Sequence, residues 1–123
     1  MAFFVVMGAL FAAVGVVLGA LGAHGLESHL SPASLEYWDT AVLYQLVHAL
    51  ALVAAGILAR LELVRLWVGI CGWCFVAGIL MFCGALYALA LGLPRGIASF
   101  APLGGAAFVV GWVAMIVGAL RWR

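Results

Sequence analysis

The residues that could do chemistry inside this chain are few, and several fall on one helical face. Tyr44 and Gln45 stand four and three residues before His48, a spacing that brings all three side chains together on an α-helix. They lie in an otherwise apolar run, where an ionisable group is costly and raises a functional hypothesis by default. Cys83 and Tyr87 reach a similar outer-half depth in a neighbouring apolar run, and His24 closes the outer end of the first run. Four kinds of chemistry are open to such a set. His24 and His48 could ligate haem or a metal, because imidazole is the commonest metal ligand. Asp39 and His48 could begin a proton or solute path. His24, Tyr44, Gln45, His48 and Tyr87 could line a pocket for a lipid or quinone-like ligand. The same groups could instead form a buried hydrogen-bond network that fixes helix register, with neutral His48 donating to a backbone or tyrosine oxygen.

Spacing weighs these readings against one another. Neither His24 nor His48 has a second ligand three or four residues away, which disfavours a metal site, and no cofactor is assigned. Beyond His48 the chain reads Ala-Leu-Ala-Leu-Val-Ala-Ala-Gly-Ile-Leu, with no relay group before Arg60, so a path would need an oligomer or another subunit. The network reading fits the residues best. Cys71-Gly72-Trp73-Cys74 has redox spacing, but it sits in an apolar stretch where reagents are excluded and core packing is the simpler role. The chain has no P-loop, no nucleophile elbow and no His-Glu-x-x-His, and its polar loops are too short to hold a catalytic domain. The reading is therefore non-enzymatic, with no catalytic residue and no metal site.

These side chains must be positioned by elements that live in lipid. Of 123 residues, 70% are hydrophobic and 7% charged, and mean hydropathy is +1.37. An average soluble domain has roughly 25% charged residues, so too little polar surface exists to face water. Disorder is excluded by the same composition. Five arginines against four acids offer no basic footprint for nucleic acid.

A bilayer core of ~30 Å needs about 20 apolar residues per helix. Four such spans are predicted at about 3–23, 39–59, 66–91 and 102–120, forming one all-α domain over 1–123. The first span lacks the basic residues that precede a signal-peptide core and is expected to be retained. Ser31-Pro32 is a helix-start signal, so the second helix should begin about 32–38 at the interface and run to about Arg60. Gly92 and Pro94 stop the third, and Pro102 should open the fourth. Arg60, Arg65, Arg121 and Arg123 collect at one end, while Glu27, Glu36, Asp39 and Arg95 mark the other. Short-loop arginines favour the cytoplasm, which predicts an antiparallel bundle with both termini inside a bacterial plasma membrane. Glu62 and Arg65 are expected to form an interfacial ion pair. Helix starts near Pro32 and Pro102 could hold an anion, an idea the nearby acids oppose.

Glycines follow a period of their own. Gly8, Gly15 and Gly22 recur every seven residues, with Gly19 four after Gly15, and Gly104, Gly111 and Gly118 repeat the period in the last span. Small residues let helix backbones approach in lipid. Such stripes serve either a homo-oligomer interface or packing within the chain, and the second is the expectation.

Several blocks carry a family likeness: Gly19-Ala-Leu-Gly-Ala-His-Gly-Leu26, Trp38-Asp-Thr-Ala-Val-Leu-Tyr-Gln-Leu-Val-His-Ala-Leu50, Phe82-Cys-Gly-Ala-Leu-Tyr87 and Pro102-Leu-Gly-Gly-Ala-Ala-Phe-Val-Val-Gly-Trp112. Together they resemble the YgdD/YwdK family of small bacterial membrane proteins, a domain of unknown function with small eukaryotic transmembrane relatives. Relatives often carry Ser where Cys83 and Ala85 stand. The resemblance implies a four-helix integral membrane protein and supplies no activity; its motif positions include His24, Trp38, Tyr44, Gln45, His48 and Tyr87. The expected role is a structural or accessory membrane protein in the lipid bilayer, packing against itself as a homo-oligomer or against a larger membrane complex. A small transporter or proton-linked carrier, and a haem-binding electron-transfer protein, are the alternatives.

Overall fold

The computed structural model describes every residue except Met1, Glu62, Leu63 and Arg123. The expected Glu62–Arg65 pair and the arginine at the last position therefore lie outside the described residues. Among the described residues all regular structure is helical: α1 (Ala2–His24), α2 (Pro32–Leu58), α3 (Arg65–Gly78), a π-helical turn (Ile79–Cys83), α4 (Gly84–Ala90), a 3-10 turn (Arg95–Ser99) and α5 (Phe100–Leu120). With α3 to α4 counted as one span, four helices are long and apolar enough to cross a membrane.

Local chemistry sets the ends. Ser31 is extended, and its hydroxyl accepts from the Ser34 amide at 3.2 Å while Pro32 takes the first helical position. Such a cap stabilises a helix by about 1 kcal/mol. α2 ends at Leu58, two residues short of Arg60, in a turn closed by the Arg60 amide on the Ile57 carbonyl at 3.2 Å. α4 stops at Gly92, whose φ of +86° is a left-handed conformation that only glycine adopts without strain. Its neighbour Leu93 donates back to the Ala88 carbonyl at 3.0 Å, and Pro94 then prevents the helix from resuming. α5 starts at Phe100, two residues before Pro102, because a proline in the first turn removes an amide that has no intrahelical partner anyway.

The π turn was not legible in the sequence. It adds a residue to the winding and so rotates everything after it by about 100° relative to an uninterrupted α-helix. It lies where α5 comes closest, with the Gly104 backbone against the backbone of Phe82 and the Phe108 ring over Gly78.

Both glycine stripes pack inside the chain. A Cβ on Gly8 would stand 2.7 Å from the Ala49 carbonyl oxygen, one on Gly15 would strike Leu46 at 2.8 Å, and one on Gly22 would strike Trp38 at 2.7 Å. Along α5, Gly104 faces Phe82, Gly111 faces Phe75 and Gly118 faces Trp67. Residue numbers rise on one helix as they fall on its neighbour, so α1 runs against α2 and α5 against α3. Gly19 sits looser, 3.2 Å from Val42. Gly56 and Gly72 receive Val5 and the Phe4 ring in return. Phe75, Leu52, Cys71 and Cys83 are the largest fully buried side chains, whereas Val6, Leu10, Val17, Leu50, Leu80, Val109 and Ile116 face outward. Apolar side chains on the outer surface are what a lipid solvent requires.

Where a Cβ would meet backbone, the helices must separate. Gly8→Ala and Gly104→Ala are expected to lower unfolding stability in detergent by about 1–3 kcal/mol each, the usual cost of overpacking. Gly84 has nothing within 4 Å, so Gly84→Ala should melt with the parent. Equal thermal melting of all three variants would contradict this packing.

Candidate functional site

α2 carries the polar side chains that tie the bundle together. At the end holding Asp39, the Trp38 indole N–H donates to the Leu18 carbonyl of α1 at 2.7 Å. One level deeper, the Gln45 amide donates to the Phe11 carbonyl of α1 at 2.8 Å and accepts from the Tyr87 hydroxyl of α4 at 2.7 Å. Deeper again, His48 accepts at Nε2 from the Trp112 indole of α5 at 3.1 Å, and its Nδ1 lies 2.7 Å from the Tyr44 carbonyl. Gln45 and His48 are only 3% and 4% exposed.

The glycine period explains how side chains reach main-chain oxygens that already serve the helix. In an α-helix the carbonyl of residue i accepts from the amide of i+4, and the side chain of i+4 helps cover it. Phe11 and Leu18 stand four residues before Gly15 and Gly22. With no side chain at either glycine, each carbonyl keeps an open lone pair toward α2. A Cβ on Gly22 would come within 2.9 Å of Trp38 Nε1, and one on Gly15 within 3.5 Å of Gln45 Nε2. Trp38 and Gln45 are themselves seven apart, matching the stripe they face.

His48 is held in one protonation state by its partners. A carbonyl only accepts and an indole N–H only donates, so the proton sits on Nδ1 and the Nε2 lone pair points at Trp112. The neutral ring stacks on Phe108, with centroids 3.6 Å apart, and meets Phe75 edge-on at 5.5 Å. Tyr44 continues the aromatic column against Phe82 at 4.8 Å and is 40% exposed. A shallow groove of about 200 Å³ beside it is lined by Leu43, Tyr44, Val47 and His48.

The structure brings Gln45, His48 and Tyr87 into adjacent levels and leaves His24 elsewhere. His24 ends α1, is exposed, and borders an outward groove with Val16, Val17 and Ala20. Gly22 is level with Trp38, so His24, two residues further out, lies roughly 18 Å along the axis from His48, at 1.5 Å per residue. Cys83 is buried one turn before Tyr87, Cys71 is buried in the core, and Cys74 touches the position of Gly111. Trp112, Phe108 and the carbonyls of Phe11 and Leu18 belong to the site but were not singled out from sequence. The available signal was the shared seven-residue period of Trp38–Gln45 and the glycines.

A double-mutant cycle on Gln45→Leu and Tyr87→Phe is expected to give a coupling of about 0.6–1.7 kcal/mol, the range for hydrogen bonds between membrane helices. Additive losses on detergent unfolding would mean the two side chains act independently.

Comparison with known proteins places these residues in context. The family model described as "Protein of unknown function (DUF423)" matches residues 18–105. A UPF0382 membrane protein of Staphylococcus saprophyticus is 42% identical over 119 residues, covering 96% of this chain and 97% of its own. The UPF0382 membrane protein YwdK of Bacillus subtilis is 38% identical over 119 residues, covering 97% of each. A UPF0382 membrane protein of Staphylococcus aureus is 36% identical over 122 residues, covering 99% of this chain and 98% of its own. No solved structure matches the chain.

Proposed function

The chain belongs to the DUF423 family, whose relatives are named as membrane proteins of otherwise unstated role, and from the site geometry we propose that it is a non-catalytic scaffold. In this reading it is a structural or accessory protein that packs against a larger membrane complex or a second copy of itself. One observation carries the reading. Gln45 and His48, the buried polar residues among those described, direct their hydrogen-bonding groups to α1, α4, α5 and their own helix. Such a set specifies how helices sit together, and its groups are already engaged.

The same observation weighs against the other readings. Ligation of haem or a metal through Nε2 of His48 would require Trp112 to leave. Inward of His48, α2 buries Ala49, Ala51, Leu52, Ala55 and Gly56, which offer a proton or solute no relay. The groove beside Tyr44, at about 200 Å³, is smaller than the roughly 300–1,000 Å³ of ordinary small-molecule pockets. Orientation follows the arginines: Arg65 begins α3 and Arg60 and Arg121 follow the ends of α2 and α5, all at one end of the bundle, which this reading places in the cytoplasm together with both termini.

Mild solubilisation of the tagged chain is the test. The expected result is one stoichiometric partner, or an oligomer of defined mass, in a colourless preparation. A Soret band lost in His48→Ala, or proton flux in liposomes lost in His48→Gln with the fold intact, would replace the scaffold reading with electron transfer or transport.

A further inference from the structure

A further groove lies away from the polar levels. It is about 670 Å³ and sits between the first turns of α2 and the connector joining α4 to α5. The left-handed Gly92 and Pro94 swing that connector over Ala33, Ser34 and Tyr37, and the 3-10 turn is pinned by Ser99 donating to the Gly96 carbonyl at 2.8 Å. The lining is divided in character. Leu89, Leu93 and Ala98 give it apolar surface, while Ser34, Tyr37 and Arg95 give it polar groups. Ser31 donates its hydroxyl hydrogen to Ser34 Oγ at 3.1 Å, which leaves the Ser34 hydroxyl hydrogen free to donate.

We propose that this groove binds the phosphodiester of a membrane phospholipid, with Arg95 and Ser34 on the phosphate and the glycerol end of the acyl chains against Leu89, Leu93 and Ala98. Depth supports a lipid. Arg95 opens the last apolar span and Tyr37 stands in the first turns of the second, so in a bilayer matched to these spans both would stand near the headgroups. Chemistry supports a phosphate. Guanidinium is planar, permanently charged and matched to two phosphate oxygens at once. Arg95 is also the one arginine at this end of the bundle among the described residues, and it lines the groove. Charge and lining together favour a lipid over a free anion. Glu27, Glu36 and Asp39 give this end a surplus of negative charge that opposes any phosphate, so Arg95 alone holds a small anion weakly. A lipid gains in addition from the apolar residues of the groove, which a free anion cannot use.

The test uses the full chain purified in mild detergent, with native mass spectrometry and added dioleoyl phosphatidylglycerol. Arg95→Gln is expected to weaken the tightest-bound lipid at least about tenfold, the loss of one charge-assisted contact. Ala98→Phe keeps the charge, fills part of the groove from an exposed lining position and should have a comparable effect. Millimolar inorganic phosphate should leave the bound lipid in place. Unchanged lipid retention in Arg95→Gln that melts like the parent would overturn the site, and displacement of the lipid by inorganic phosphate would reassign it to a free anion.

Discussion

Helices in lipid gain nothing by hiding apolar surface from each other, because the solvent is as apolar as they are. What holds this bundle must therefore be close backbone approach and a small number of directed bonds, and in α1 and α2 these are the same feature. A glycine at Gly15 or Gly22 brings the helices together and also uncovers the carbonyl four residues earlier for Gln45 or Trp38. Placing any side chain at either glycine would remove both effects at once. The acceptors are main-chain oxygens, present in every residue of α1, so the glycines decide which of them can be used.

α2 is the hub for this reason. Its donors reach α1, its Gln45 carbonyl draws in Tyr87 of α4, and its His48 takes the Trp112 indole of α5. α1 and α5 contribute no buried polar side chain of comparable reach; they present glycines and aromatic rings. At the opposite end of the bundle the ties change in kind. There Phe4 lies edge-on to Trp73 with centroids 5.6 Å apart, and the Arg121 guanidinium sits 5.0 Å over the Trp67 ring. The bundle is thus hydrogen-bonded at one end and held by ring contacts and arginine at the other.

Much of this was legible in the sequence and some was not, for physical reasons. Spans follow from hydropathy alone, and Ser31, Pro32 and Gly92 mark ends because capping and left-handed turns are local. Stripe and donor periods are also visible, since Gly8, Gly15, Gly22, Trp38 and Gln45 all obey a helical repeat. Which helix faces which is not local information. Trp112 meets His48 from 64 residues away, and nothing in the spacing of either residue announces the other. His24 illustrates the converse: it closes the outer end of the first span as its position suggests, but the register of α1 on α2 carries it past Trp38 and away from the pocket it could have shared with His48. The π turn escapes for a further reason. Its residues Ile-Leu-Met-Phe-Cys are ordinary helix formers, and the extra residue is accommodated where α5 presses on Gly78 and Phe82.

Register is where the polar network becomes necessary. A seven-residue period is degenerate: sliding α1 by one repeat would bring Gln45 to the carbonyl of Phe4, four residues before Gly8, and Trp38 to that of Phe11, before Gly15. The same two bonds would form past the same kind of opening. Glycine packing and the donors of α2 together cannot choose between these arrangements. The bilayer helps, because the slide moves α1 by about 10 Å along its axis, a third of the ~30 Å core. A contact of α1 with a third helix fixes the rest, because Phe4 seats its ring at Gly72 and edge-on to Trp73 of α3, and the slide would remove it. Tyr87 holds Gln45, the π turn aims Tyr87, and Trp112 holds His48 three residues further on, so α2 stays fixed relative to α4 and α5 while α1 is seated. Each polar residue is weak as a bond in isolation. Its value is that it removes an alternative the apolar surface would accept.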